Sequence, residues 1–213
     1  MKYFITILFS LTLYLCSWNS LYAQSEGGSI LINSDVISDL DMEGVQNLSF
    51  GTIIENSKKN VSPVDNSSDA SGGNVNGVTG TENRGYFVVD GTAGSNVNFE
   101  VSFKERLFTQ DGQDNLLFTL EPNGILQLII TETEPTGTDA VSPITNGDGL
   151  NGDFTCQEGS SLFSRTCSSN NSIALPDGGG IVYVAVGGEV SSRETQTVGT
   201  YSEDITLTAT IVN

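Results

Sequence analysis

Apolar and polar residues alternate along several short stretches of the chain, which is the pattern of strands with one face in a core and one in water. In residues 97–103 (VNFEVSF) every second residue is apolar, and residues 205–211 (ITLTATI) repeat the pattern near the carboxyl end. Further candidate strands lie at residues 30–32, 48–54, 86–89, 116–120, 125–131 and 181–186. These stretches predict a protein built from short strands.

Turn sequences separate the candidate strands. Asp90-Gly91, Asp111-Gly112, Pro122-Asn123-Gly124 and Asp177-Gly178 each have the chemistry of a tight turn. Eight or more short strands with turns between them predict an all-β fold, an antiparallel sandwich or barrel, and the length fits one domain. Residues 56–83 and residues 134–172 fall outside this rhythm, and we expect both to be long polar loops.

The first 23 residues have the composition of a signal peptide. Lys2 gives a positive start, residues 3–18 are apolar apart from Thr and Ser, and Ala23 is a small residue before a polar stretch. The apolar run is short for a membrane span, which needs roughly 20 residues, so cleavage near Ala23 is favoured over an uncleaved anchor. We therefore expect a secreted or cell-surface mature chain, residues 24–213, without a transmembrane segment.

Export determines how the cysteines are interpreted. Cys16 would leave with the signal peptide, so Cys156 and Cys167 would be the two that the mature chain keeps. In an oxidising compartment two cysteines are most simply a disulfide, and a pair of free thiols is the alternative.

Charge and composition exclude several classes of function. The chain has 26 acidic and 8 basic side chains and no histidine, which gives a formal charge of −18. Such a charge repels phosphate backbones, so nucleic acid is not an expected partner. Without histidine, Ser-His-Asp, Cys-His and His-zinc chemistry are unavailable. A glycosidase needs two carboxylates, but no pair among so many acids stands out, so we predict that the protein is not an enzyme.

Four short motifs, in the same order, carry a resemblance to a known family. They are residues 48–53 (LSFGTI), residues 88–94 (VVDGTAG), residues 175–177 (LPD) followed by 186–188 (VGG), and residues 199–202 (GTYS). Over roughly residues 30–212 the chain resembles the domain-of-unknown-function 4402 family of secreted bacterial proteins. The resemblance implies an immunoglobulin-like sandwich, similar to pilins and spore-coat-U proteins, and a role as a fimbrial subunit. Residues 134–172 are an insertion relative to that family.

Two of these motifs also have a direct physical interpretation. Gly187-Gly188 predicts a bulge or tight turn at which a side chain would clash. Gly199-Thr200-Tyr201 predicts a tyrosine corner, in which the Tyr201 hydroxyl forms a hydrogen bond with the main chain.

The amino-terminal part of the mature chain is a candidate for strand exchange. Pilin-like sandwiches assemble when one subunit lends an extended strand to the sheet edge of a neighbour. Residues 25–42 begin with a Gly-Gly lead and continue with spaced apolar residues, Ile30, Ile32, Val36 and Leu40. The partners would be copies of this chain or other surface subunits. The alternative is that residues 30–40 pair within their own domain.

An acidic loop is a candidate calcium site. Asn146, Asp148, Asn151 and Asp153 place oxygen ligands at loop spacing, although no Glu closes the loop as an EF-hand requires. The alternative is a solvated loop without a metal, and no other cofactor is expected.

Exposed aromatic residues would favour carbohydrate binding, and Phe154 and Phe163 are the candidates near the cysteines. The expected function is that of a non-enzymatic structural or adhesive surface protein. A monomeric module that binds a glycan or calcium is the alternative.

Overall fold

The computed structural model describes residues 26–37, 40–72, 82–144 and 154–212. Within them it contains sixteen strands and one short 3-10 turn at Pro122–Gly124. Strands β1 to β8 span Glu26–Ile37, Asp41–Gln46, Leu48–Ile53, Ser57–Val61, Ser68–Gly72, Gly85–Asp90, Asn96–Lys104 and Arg106–Thr109. Strands β9 to β16 span Asn115–Thr119, Leu128–Thr131, Phe154–Glu158, Ser164–Ser169, Ile173–Ala174, Ile181–Val186, Gly188–Ser191 and Thr200–Val212.

The predicted signal peptide, residues 1–23, lies outside the described residues, so its cleavage stays a prediction. In the part of the chain that the structure describes, no helix is long and apolar enough to cross a membrane.

The strands form two hydrogen-bonded sheets. The smaller has the order β10-β14-β6-β2, and the larger runs β11-β12-β7-β16-β8-β9-β15-β4-β5, with β13 on β7 and with β1 between β16 and β3. All described strand pairs are antiparallel except that of β1 with β16. The sheets pack together, which confirms the predicted all-β sandwich.

The carboxyl-terminal strand β16 organises the larger sheet. β7 and β8 follow one another along one of its edges, with Val101 opposite Leu207 and Phe108 opposite Ser202. β1 covers the other edge. The outer edges of β7 and β8 then pair with different strands, β12 and β9, so the sheet divides at that point.

The apolar residues of the predicted alternating strands form part of the hydrophobic core. The apolar residues of 97–103 are at most 3% exposed, and Ile205, Leu207 and Ala209 at most 1%. At the centre the Phe118 ring meets Phe50 and Phe103 edge to face, with ring centroids 6.0 and 5.9 Å apart. The two strands predicted most clearly from period-two alternation are therefore confirmed.

The Gly187-Gly188 pair lies where the chain passes from one sheet to the other. A Cβ on Gly187 would lie 2.2 Å from the carbonyl oxygen of Val61, and one on Gly188 would lie 2.8 Å from the Phe118 ring. Both distances are too short for a side chain, so the predicted clash is confirmed.

Both segments that the sequence predicts as polar loops contain strands, so that prediction was wrong. Residues 56–83 include β4 and β5, and residues 134–172 include β11 and β12. Main-chain pairing holds these strands without a row of apolar side chains: β4 even buries Lys59, whose ammonium pairs with Glu82 and donates to the Thr52 carbonyl. Hydrophobic periodicity cannot reveal a strand of this kind.

Arg84 is the largest fully buried side chain that the structure describes. Its guanidinium donates hydrogen bonds of 2.6 to 3.4 Å to five main-chain carbonyls, those of Pro63, Val64, Pro135, Thr136 and Asp139. These carbonyls belong to two chain segments that lie far apart in sequence. One buried cation therefore joins the connection after β4 to the connection after β10.

Replacing Arg84 by Ala would take away the donor of four of these carbonyls, those of Pro63, Pro135, Thr136 and Asp139. The Val64 carbonyl would keep its hydrogen bond from the main-chain N of Val141. Each buried acceptor without a partner costs about 1–3 kcal/mol, so we expect the free energy of unfolding to fall by about 3 kcal/mol or more. The control is Lys58→Ala, which removes an exposed ion pair with Glu189 and should cost less than about 1 kcal/mol. Urea denaturation measures both, and equal losses would contradict the structural role of Arg84.

Candidate functional site

The predicted strand-exchange segment forms β1 and the residues that follow it. β1 runs parallel to β16, with Ile32 opposite Ile205 and with Val36 further along the same pairing. On its other side β1 pairs antiparallel with β3. Ile30 and Leu40 are 1% and 3% exposed. The segment therefore pairs within its own chain, and exchange between copies stays a prediction.

The two neighbours of β1 depend on it for their own pairing. β16 uses this edge from Thr200 to Thr210, which is nearly its whole length. β3 pairs with no other strand in the described residues and has only an isolated bridge from Ser49 to Asn83. A sandwich without β1 would therefore expose two unpaired edges that face one another across a groove.

The predicted disulfide joins Cys156 and Cys167 and is confirmed. The two residues lie directly opposite one another in β11 and β12, so the bond closes a hairpin. A carboxylate oxygen of Glu121 lies within 4.8 Å of both sulfurs. Because the sulfurs are bonded to each other, this group offers no thiolate ligands for a metal ion.

The candidate calcium residues Asn146, Asp148, Asn151 and Asp153 lie outside the described residues, so calcium binding stays a prediction.

The two aromatic candidates for carbohydrate binding differ in their surroundings. Phe154 is partly buried and packs against the core. Phe163 is 38% exposed at the tip of the β11–β12 hairpin, and the Arg106 guanidinium lies 4.4 Å from its ring centroid. The Arg106 guanidinium therefore covers one face of the Phe163 ring.

Tyr201, at the start of β16, forms the predicted tyrosine corner. Its ring is fully buried, and its hydroxyl donates a 2.5 Å hydrogen bond to the carbonyl oxygen of Thr197. The Gln196 amide donates to the same hydroxyl at 2.9 Å. The bond to the main chain that the sequence predicts is therefore confirmed.

Asp114, between β8 and β9, completes this network. Its Oδ2 lies within 2.9 to 3.2 Å of three donor atoms, the Gln196 amide, the main-chain N of Thr197 and the Tyr201 hydroxyl. Its Oδ1 accepts hydrogen bonds from Arg193 and from the main-chain N of Asn115. Burial alone would raise the pKa of Asp114, but hydrogen bonds from Thr197, Asn115 and Tyr201 outweigh it and lower the pKa to about 2.

A cavity of about 460 Å³ opens beside Asp114, between the β8–β9 turn and the segment that leads into β16. Its lining includes Gln110, Asp111, Gln113, Val198 and Thr200. Sequence reasoning identified Asp111-Gly112 only as a turn. The sequence does not predict the cavity, because it forms between two segments that are far apart along the chain. The acidic turn and the GTY motif each indicate one of these segments, but not that they lie side by side.

Comparison with protein-family models gives no match for this chain, and comparison with curated proteins gives no match either. The family resemblance therefore stays a prediction.

Replacing Tyr201 by Phe removes the hydroxyl but keeps the ring. The buried Gln196 amide and the Thr197 carbonyl then lose a partner, so we expect a loss of about 1–2 kcal/mol in the free energy of unfolding. Tyr183→Phe is the matched control, because no hydrogen bond of its hydroxyl is present among the described residues. If the Tyr201 variant is as stable as wild type in chemical denaturation, the tyrosine corner does not stabilise the fold and this prediction is wrong.

Asp114 predicts a pH dependence of stability. A carboxyl whose pKa is lowered in the folded state stabilises that state fully above its unfolded pKa, near 4, and loses this contribution as the pH falls through about 2. We expect wild type to be more stable than Asp114→Asn above about pH 4. The difference should shrink towards pH 2 in urea denaturation. A difference that is independent of pH would contradict this assignment.

Proposed function

We propose that this chain is a non-enzymatic structural or adhesive protein of the bacterial surface, exported by its amino-terminal segment, and that copies assemble by exchanging β1. The observation that carries the proposal is the position of β1. It lies between β16 and β3, while β2, which follows it in the chain, belongs to the other sheet. No hairpin therefore ties β1 to either neighbour.

The contacts of β1 suit exchange between identical chains. Eleven residue pairs join β1 to β16, from Gly27 with Thr200 to Ile37 with Thr210. Main-chain hydrogen bonds of this kind form equally well with a strand from another copy, and the pocket that receives Ile30 is identical in every copy. Exchange would therefore replace each contact by its equivalent in another copy.

Two further observations support an exported structural role. The Cys156–Cys167 disulfide suits an oxidising compartment outside the cytoplasm. The described carboxylates with a shifted pKa, Asp65, Asp111 and Asp114, all have it lowered. A general acid needs a raised pKa, so these three carboxylates are not suited to that role.

Charge sets the conditions for assembly. The mature chain keeps all 26 acidic side chains and loses only Lys2 among the 8 basic ones, so its formal charge is −19 (7 − 26). Copies therefore repel one another over roughly 10 Å at 0.1 M salt. Salt screens this repulsion while leaving main-chain pairing unchanged. Assembly should therefore increase with salt concentration.

The test compares the mature chain, residues 24–213, with a variant that locks β1 in place. Asn33→Cys with Thr206→Cys places a disulfide between residues that lie opposite one another in β1 and β16. The protein is studied at high concentration and in about 0.5 M salt, where the Debye length is below about 8 Å and repulsion between copies is screened. Light scattering should then show oligomers of wild type and monomers of the locked variant. Adding reductant should restore assembly of the variant.

The matched control for reductant is wild type treated in the same way, because reduction also opens the Cys156–Cys167 bond. A mature wild-type chain that stays strictly monomeric, with residues 30–40 protected from protease, would overturn strand exchange. It would favour the alternative of a monomeric ligand-binding module.

A further inference from the structure

The cavity beside Asp114 has walls that are fixed from both sides. Asp114 binds the segment before β16 through Gln196, Thr197 and Tyr201. On the other wall, Asp111 accepts hydrogen bonds from the Thr109 hydroxyl and the main-chain N of Gln113, both through Oδ1. The carboxylates of Asp111 and Asp114 are therefore positioned before any ligand arrives, which lowers the cost of binding.

Three polar groups at this cavity have no partner among the described residues. They are the Oδ2 atom of Asp111, the side-chain amide of Gln110 and the hydroxyl of Thr200, and all three residues line the cavity. Together they offer a carboxylate acceptor, an amide that both donates and accepts, and a hydroxyl. Such a set matches neighbouring hydroxyl groups on one small molecule.

The charges around the cavity select against anions, and the number of free oxygen ligands selects against a divalent cation. Asp111 and Asp114 repel anions, and the nearby cation, Arg193, is already paired with Asp114. A divalent cation such as calcium needs six to eight oxygen ligands. Both oxygens of Asp114 already accept hydrogen bonds, which leaves Oδ2 of Asp111 as the free carboxylate oxygen at this place.

The remaining features fit a small ring with hydroxyl groups. Val198 is 50% exposed at the wall and offers an apolar contact. The volume of about 460 Å³ lies in the usual range of ligand sites, about 300 to 1,000 Å³. A neutral ring molecule with hydroxyl groups at its edge and an apolar face can form hydrogen bonds with the polar side chains and pack against Val198.

We infer that this cavity is a binding site for a neutral carbohydrate, with Asp111 as its principal hydrogen-bond acceptor and with Gln110 and Thr200 as further contacts. The inference does not depend on strand exchange, because these contacts lie within one chain. It assigns the protein a ligand class and places the site at one end of the sandwich.

The experiment is titration of the mature chain with a panel of neutral sugars, glucose, galactose, mannose, N-acetylglucosamine and trehalose, followed by NMR and calorimetry. We expect at least one to bind. Asp111→Asn keeps the shape and the acceptor at Oδ1 but replaces the free Oδ2 by a donor, so it should weaken binding tenfold or more. Gln110→Ala should weaken it less and serves as a second variant.

Asp177→Asn is the control, because Asp177 is exposed and lines a different cavity. It should leave sugar binding unchanged, and thermal melts should show that all variants fold. The inference is overturned if no sugar in the panel binds, if Asp111→Asn binds as well as wild type, or if EDTA abolishes binding, since that result would assign the cavity to a cation.

Discussion

The carboxyl-terminal strand β16 must have a partner along both of its edges, and the amino-terminal strand β1 is what fills the second one. Main-chain N–H and C=O groups that lie over a core cannot stay without hydrogen bonds, so this pairing is a condition for the sandwich. β3 has the same requirement and meets it through the same strand. The two ends of the described chain are thus held together by one strand that no hairpin joins to either of its sheet neighbours.

The start of β16 links this pairing to the polar network. Tyr201 anchors the strand through Thr197 and Asp114, and the cavity opens directly beside it. Thr200 lines that cavity and also lies opposite Gly27 in β1. In an assembly formed by strand exchange, the cavity would therefore lie beside the junction between two copies, where a bound sugar and the incoming strand are neighbours.

The sequence predicts correctly those features that depend on a local pattern of residues. The alternation in residues 97–103 reports burial directly, the GTY motif located Tyr201, and two cysteines in a mature chain indicated their own pairing. It failed for β4 and β12, because main-chain pairing holds these polar strands. Arg84 was missed because its partners are carbonyls, which every residue has, and only the fold brings those five together.

The most direct test of the account is hydrogen exchange of the β1 amides in the monomeric chain. If β1 is a separate, detachable element, the amides of residues 27–37 should exchange slowly but through an opening that costs clearly less free energy than global unfolding. Amides of β7 and the β7-facing side of β16 should exchange only with global unfolding. Equal opening free energies in β1 and β7 would contradict the account, because β1 could then leave only when the whole domain unfolds.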